Sequence, residues 1–87
     1  MANENRAKII ELVASYYANW QACEAALEYD EGNEYRNRYE GALRTALLMG
    51  LDNGKGEDGF EWEIKDTAYR LWGDEIVKVY EANNATW

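Results

Sequence analysis

Apolar side chains recur near the start of the chain at alternating steps of four and three: Ile9, Val13, Tyr16, Trp20, Cys23 and Leu27. This is the period of an amphipathic helix with one continuous seam, and it predicts a helix over residues 5–29. Ile10, Leu12 and Tyr17 flank the seam, so the apolar arc is wide enough to meet two neighbouring helices. Arg6, Lys8, Glu11, Glu24 and Glu28 fill the polar side. At about 1.5 Å per residue such a helix is about 37 Å long, while a compact domain of this size has a radius of gyration of about 12 Å. It should cross the whole molecule.

The polar run Asp30, Glu31, Gly32 and Asn33 reads as the stop of this helix, with Gly32 in the left-handed conformation. A second helix is predicted over 34–49, where Tyr35, Tyr39, Ala42, Ala46 and Met49 step by four and three and Leu43 and Leu47 widen the face. Gly41 costs it about 1 kcal/mol relative to alanine, which suggests a close approach to helix one. Gly50 should close it, with Leu51 packing back on the last turn. The short connection makes the two helices antiparallel neighbours.

Residues 52–59 form a glycine-rich loop. Phe60, Trp62 and Ile64 alternate with charged residues, a strand pattern, yet nothing else in the chain offers a strand to pair with. Asp58 and Glu61 have capping-box spacing, and Phe60, Ile64, Ala68, Trp72 and Ile76 step by four, which is a helical reading. Repeated steps of four turn the stripe by about 40° each time, so a break is expected at Gly73 and Asp74, with a last helix carrying Ile76, Val77, Val79 and Tyr80. Trp87 ends the chain as a docked anchor or a frayed tail. The expectation is an all-α domain over 1–87: a small three-helix bundle with a broken third helix, and a short strand at 60–64 as the alternative.

Composition narrows the function classes. Four tryptophans and seven tyrosines exceed what a marginal bundle needs; the expectation is that they fill the small core, with part of the surplus at an interface as the alternative. The wide flank of helix one bearing Tyr17 and Trp20 is the candidate self-association surface, giving a homodimer. The formal charge of −8 opposes direct contact with nucleic acid or an anionic membrane. No apolar run approaches the length of a membrane span, and no secretory signal is expected from the polar first residues. The Asn84, Ala85, Thr86 triplet is then a chance match to the glycosylation pattern. The single Cys23 reads as a core residue and suggests a reducing compartment, hence the cytoplasm.

Catalytic types are scarce. The chain has no histidine, which removes the usual general base and the commonest metal ligand. Asp52 and Glu63 have the spacing of the first and last ligands of a calcium loop. However, Gly54 and Gly56 stand where oxygen ligands belong, and Glu57 where the sharp turn needs glycine. No phosphate loop or dinucleotide fingerprint occurs. Glu57, Asp58, Glu61, Glu63 and Asp66 could hold magnesium, but solvated charge at a helix start explains them equally well. No catalytic residue, metal or cofactor is assigned, and a non-enzymatic protein is expected.

Charge distribution carries more. The middle helix alone is net positive, and Arg36, Arg38 and Arg44 are expected to pair with Glu24, Glu28 and Glu31 rather than to bind nucleic acid. Glu57, Asp58, Glu61, Trp62, Glu63 and Asp66 form the candidate partner-binding surface, with charges for steering and aromatics, Phe60 included, as anchors against a basic protein surface; the favoured alternative is a solvated helix face above buried Phe60 and Trp62.

The run YRNRYEGALRTALLMGL, following a tryptophan-bearing amphipathic helix, resembles small acidic helical proteins encoded by phages and prophages. That resemblance implies a protein of the host-cell cytoplasm, anti-CRISPR-like at most, that inhibits host nucleic-acid enzymes by mimicking nucleic acid. The class has no shared motif, so no residue roles are carried over. The other expectation is a self-associating assembly protein whose acidity serves solubility.

Overall fold

The computed structural model describes residues 3–84, with side chains over 5–83. These residues form three helices, α1 (Asn3–Ala25), α2 (Tyr29–Leu48) and α3 (Gly56–Asn84), and no strand. The result is a small all-α bundle. Trp87 and the 85–86 part of the glycosylation triplet lie outside the described residues.

Helix α1 ends earlier than the periodicity suggests. The Leu27 amide donates to the Glu24 carbonyl at 3.1 Å and the Glu28 amide to the Cys23 carbonyl at 2.8 Å, the two bonds of a Schellman close. Its left-handed residue is Leu27, at φ 63°, not Gly32. The polar run belongs instead to the start of α2, where Asp30 and Glu31 occupy the first turn and favour the positive end of the helix dipole. The second close follows expectation: Gly50, at φ 75°, donates to the Leu47 carbonyl, the Leu51 amide donates to the Ala46 carbonyl, and Leu51 is buried.

Two glycines exchange roles. Gly41 is exposed with open space where a Cβ would stand, whereas Gly32 is buried with its Cβ position 3.4 Å from the Cys23 Cβ. The close approach of α1 and α2 therefore lies at Gly32.

The core joins Ile10, Val13, Ala14, Tyr17 and Ala18 of α1 to Tyr39, Leu43 and Ala46 of α2, to Leu51, and to Phe60, Ile64, Ala68 and Ile76 of α3. Ile9, Tyr16 and Trp20 of the predicted seam are only partly buried, and Leu27 is exposed. Helix α1 is flanked by both other helices, so the middle of its apolar arc is covered most completely.

The third helix is unbroken over 29 residues, and residues 60–64 are helical. Its drifting stripe needs no kink because its neighbours change along its length. Phe60 and Ile64 enter the common core, whereas Trp72, Ile76 and Val79 lie along Ser15, Ala18 and Ala22 of α1. Gly73 sits in regular helix beside the Tyr69 ring. The start is not the Asp58 capping box either: the Asp52 carboxylate accepts the Gly56 amide at 3.0 Å, and Asp58 falls in the first turn.

Helix α1 packs along both partners, antiparallel to α2 and parallel to α3, while the backbones of α2 and α3 scarcely approach one another. The molecule extends 48 × 23 × 20 Å, with α3 accounting for the long dimension. The gap between α2 and α3 creates the site described next.

Candidate functional site

The first turns of α3 separate the predicted acidic residues into two groups. Glu57, Asp58 and Asp66 are exposed, Glu61 is half-buried, and Trp62 is 73% exposed beside Asp58, Glu61 and Lys65. Glu63 does not belong with them. It lies roughly 200° round the helix from Glu61, and its carboxylate receives the Arg6 guanidinium at 3.0 and 2.9 Å and the Lys55 ammonium at 3.1 Å. The hydrogen bond from Arg6 holds the Glu63 carboxyl below its ordinary range against the opposing effect of burial. Phe60 is completely buried and offers no anchor, which leaves Trp62 as the exposed aromatic of this stretch.

Between α2 and α3 runs a groove of about 520 Å³, within the range of about 300–1,000 Å³ usual for ligand sites. Tyr17, Trp20 and Gln21 of α1 meet it from below; Tyr39, Glu40 and Arg44 wall it from α2, and Glu57, Glu61 and Lys65 from α3. Tyr17 and Trp20 are thus not a free self-association flank. Tyr17 is buried edge-on to Trp20 at 5.6 Å, and both rings pack on Tyr39, at 5.4 and 5.8 Å between centroids. Tyr69 adds a fourth ring, 6.1 Å from Tyr17.

Cations of the chain already sit over these rings. The Arg36 guanidinium lies 5.8 Å from the centre of Trp20, and the Lys65 ammonium 5.9 Å from that of Tyr17. The α2 arginines do not reach across to Glu24, Glu28 and Glu31. Arg36 pairs with Glu40 one turn away at 3.3 Å, Arg38 stacks over Tyr35 at 5.3 Å, and Arg44 lines the groove. Glu24 accepts the Trp20 indole N–H at 3.2 Å.

One buried polar atom of a residue that lines the groove is unsatisfied. Tyr39 is 5% exposed, and its hydroxyl is buried with no hydrogen-bond partner among the described residues. Burial first, then the negative charges of Glu61 and Glu40, push this phenol up to about 12, so it stays protonated. A buried hydroxyl without a partner costs about 1–3 kcal/mol.

Away from the groove, the Cys23 thiol and the Glu28 and Glu31 carboxylates lie within 4.8 Å of one another. Hydrogen bonding to Glu28 raises the Glu31 carboxyl, and burial raises the Cys23 thiol. The thiol is therefore held in its unreactive form.

Tyr39, Glu40 and Lys65 are groove residues to which the sequence assigns no site role, and Arg44, expected to pair with acids of the preceding helix, lines the groove with them. Spacing does bring Glu40 with Arg44 and Glu61 with Lys65 to single helix faces at i, i+4, but it does not show that those faces confront each other. Compared with protein-family models, curated proteins and solved structures, the chain matches none. No helix among the described residues is long and apolar enough to cross a membrane.

Proposed function

We propose that this is a non-enzymatic binding protein that occupies a basic, nucleic-acid-binding surface of a partner protein, in the manner of a phage-encoded inhibitor acting in a host cytoplasm. The observation that carries this reading is Trp62, a 73% exposed indole set among Asp58, Glu61 and neighbouring carboxylates. A large exposed aromatic gains most from burial against a partner, and the carboxylates around it accelerate encounter with a positive surface. Glu57, Asp58, Glu61, Trp62 and Asp66 are the contact residues; Glu63 has a structural role.

The test is capture from bacterial lysate on tagged protein, with nuclease present and elution by rising salt. The reading expects a nucleic-acid-handling protein that elutes with salt. A variant carrying Glu57→Lys, Asp58→Lys and Glu61→Lys should lose that protein while its circular dichroism is unchanged. Retention of the same protein by the reversed variant would sink the proposal.

Self-association is the second reading. With Tyr17 and Trp20 turned inward, it rests on the exposed Trp62, Tyr69 and Val77 of α3. Sedimentation that shifts to dimer with concentration, and returns to monomer on Trp62→Ala, would favour it.

A further inference from the structure

We infer that Cys23, Glu28 and Glu31, at the junction of α1 and α2, form a binding site for one thiophilic divalent cation of the zinc type. The Cys23 thiolate and one oxygen of each glutamate are its protein ligands, and water completes the set. The site is separate from the acidic surface of α3 and does not depend on the binding reading above.

The turn between the helices assembles it. Leu27, at φ 63°, reverses the chain, and the Glu28 amide donates to the Cys23 carbonyl at 2.8 Å, which brings Glu28 back beside Cys23. Glu31 follows in the first turn of α2, next to Gly32, whose Cβ position is 3.4 Å from the Cys23 Cβ. With no side chain at residue 32, α2 approaches Cys23 closely and carries Glu31 with it. The thiol sulfur and a carboxylate oxygen of each glutamate thereby lie within 4.8 Å of one another. Three atoms so placed share a point about 2.8 Å or less from each, and bonds to zinc run about 2.0–2.3 Å. Rotation of two exposed glutamate side chains closes that difference.

Two further observations call for a cation here. Cys23 is 9% exposed, and its thiol is aimed at the two carboxylates without a hydrogen-bond partner among the described residues. Nor does Glu28 or Glu31 form an ion pair with a lysine or arginine among the described residues: Arg36 is held by Glu40, Arg38 by the Tyr35 ring, and Arg44 lines the groove. Two carboxylates side by side and a buried thiol thus stand together with no positive charge on them. The hydrogen bond that raises the Glu31 carboxyl against Glu28 is what two acids sharing one proton produce, and a dication takes the place of that proton.

The donor set selects the ion. A thiolate with two carboxylates suits a borderline-soft cation, whereas magnesium and calcium are bound through oxygen alone. Binding displaces the thiol proton and the proton shared by the carboxylates, and both pass to solvent. The chain has no histidine and no second cysteine, so any thiolate signal belongs to Cys23.

The full chain, carrying no histidine tag, is titrated with cobalt(II) and then with zinc(II) in excess magnesium. One equivalent of cobalt should produce thiolate-to-cobalt charge-transfer absorption in the near ultraviolet. Zinc should remove that absorption and raise the melting temperature by mass action. Cys23→Ala should abolish the band. Groups one shell beyond a metal are worth about 10–100-fold in affinity, so loss of a direct ligand in Glu28→Gln or Glu31→Gln should weaken zinc binding about tenfold or more. Both glutamates are exposed, so these two variants keep the fold and test the site even if Cys23→Ala does not. Absence of the charge-transfer band, zinc affinity unchanged in Cys23→Ala or in both glutamine variants, or loss of zinc to magnesium would each overturn the inference. So would saturation at half an equivalent with dimer formation, because the ion would then bridge Cys23 thiolates of two molecules.

Discussion

Arg6 and Glu63, 57 positions apart, meet in a two-pronged ion pair at 3.0 and 2.9 Å, and the Arg6 Nε–H donates to the Leu51 carbonyl at 2.9 Å. One guanidinium thus ties the start of α1 to the close of α2 and to α3. With side chains only 18% and 24% exposed, the pair is shielded more than a surface bridge. Arg6→Met should lower stability by about 1–2 kcal/mol in urea denaturation, and Arg6→Lys should recover little, since an ammonium cannot reproduce the fork. Because the Glu63 carboxyl is held below its ordinary value of 4.5, its contribution is complete above that value and is lost as pH falls through the depressed one. Glu63→Gln should therefore be less stable at neutral pH and show a shallower loss of stability on acidification. An acid limb identical to the parent's would show that the pair contributes nothing.

Two helices are legible in the four-and-three spacing and the third in steps of four, and Gly50 with Leu51 announces the close of α2 correctly, because glycine at a left-handed position leaves a local signal. Leu27 performs the same office without one, its left-handed backbone set between the two hydrogen bonds of the close and not announced by its residue type. The unbroken α3 follows from its changing neighbours, which periodicity along one helix cannot reveal. For the site, the acidic run and Trp62 are visible in sequence, but the pairing of Glu63 with Arg6 and the unsatisfied Tyr39 hydroxyl arise only when distant segments meet. The rings of Tyr17 and Trp20 were readable as a surplus of aromatics, not as the floor of a groove.

Leu27 is a non-glycine residue at φ 63° and is 55% exposed, so it carries backbone strain with little burial in return. Leu27→Gly should raise stability by about 1 kcal/mol, the left-handed penalty less the added entropy of the unfolded chain. A melting temperature lowered by this change would mean that the Leu27 side chain packs more strongly than its exposure indicates.

The two α2 glycines make a paired test. Gly41 has open space at its Cβ position, so Gly41→Ala should stabilise the helix by about 1 kcal/mol through propensity alone. At Gly32 a Cβ alone would already be in van der Waals contact with Cys23 at 3.4 Å and Trp20 at 3.9 Å, so the further atoms of a leucine must displace neighbours. Gly32→Leu should separate α1 from α2 at the cost of about 1–3 kcal/mol, as overpacking does. Chemical denaturation of both variants gives opposite signs if the close approach lies at Gly32; equal, small effects would place it elsewhere.

Phe60 and Trp62 are two residues apart, yet one is fully buried and the other 73% exposed. A helical step of two turns the side chain through about 200°, which puts them on opposite sides of α3. Phe60→Ala removes a ring from the junction of all three helices, and large-to-small changes at such positions cost about 3–5 kcal/mol. For a chain of this size that is a large fraction of the whole stability, so the variant should be substantially unfolded at room temperature. Trp62→Ala removes a larger ring but leaves no cavity, so its stability should remain within about 0.5 kcal/mol of the parent. Comparing the two by circular dichroism and urea denaturation separates core from surface along one turn. If Trp62→Ala destabilised as much as Phe60→Ala, the indole would be part of the fold and unavailable to a partner.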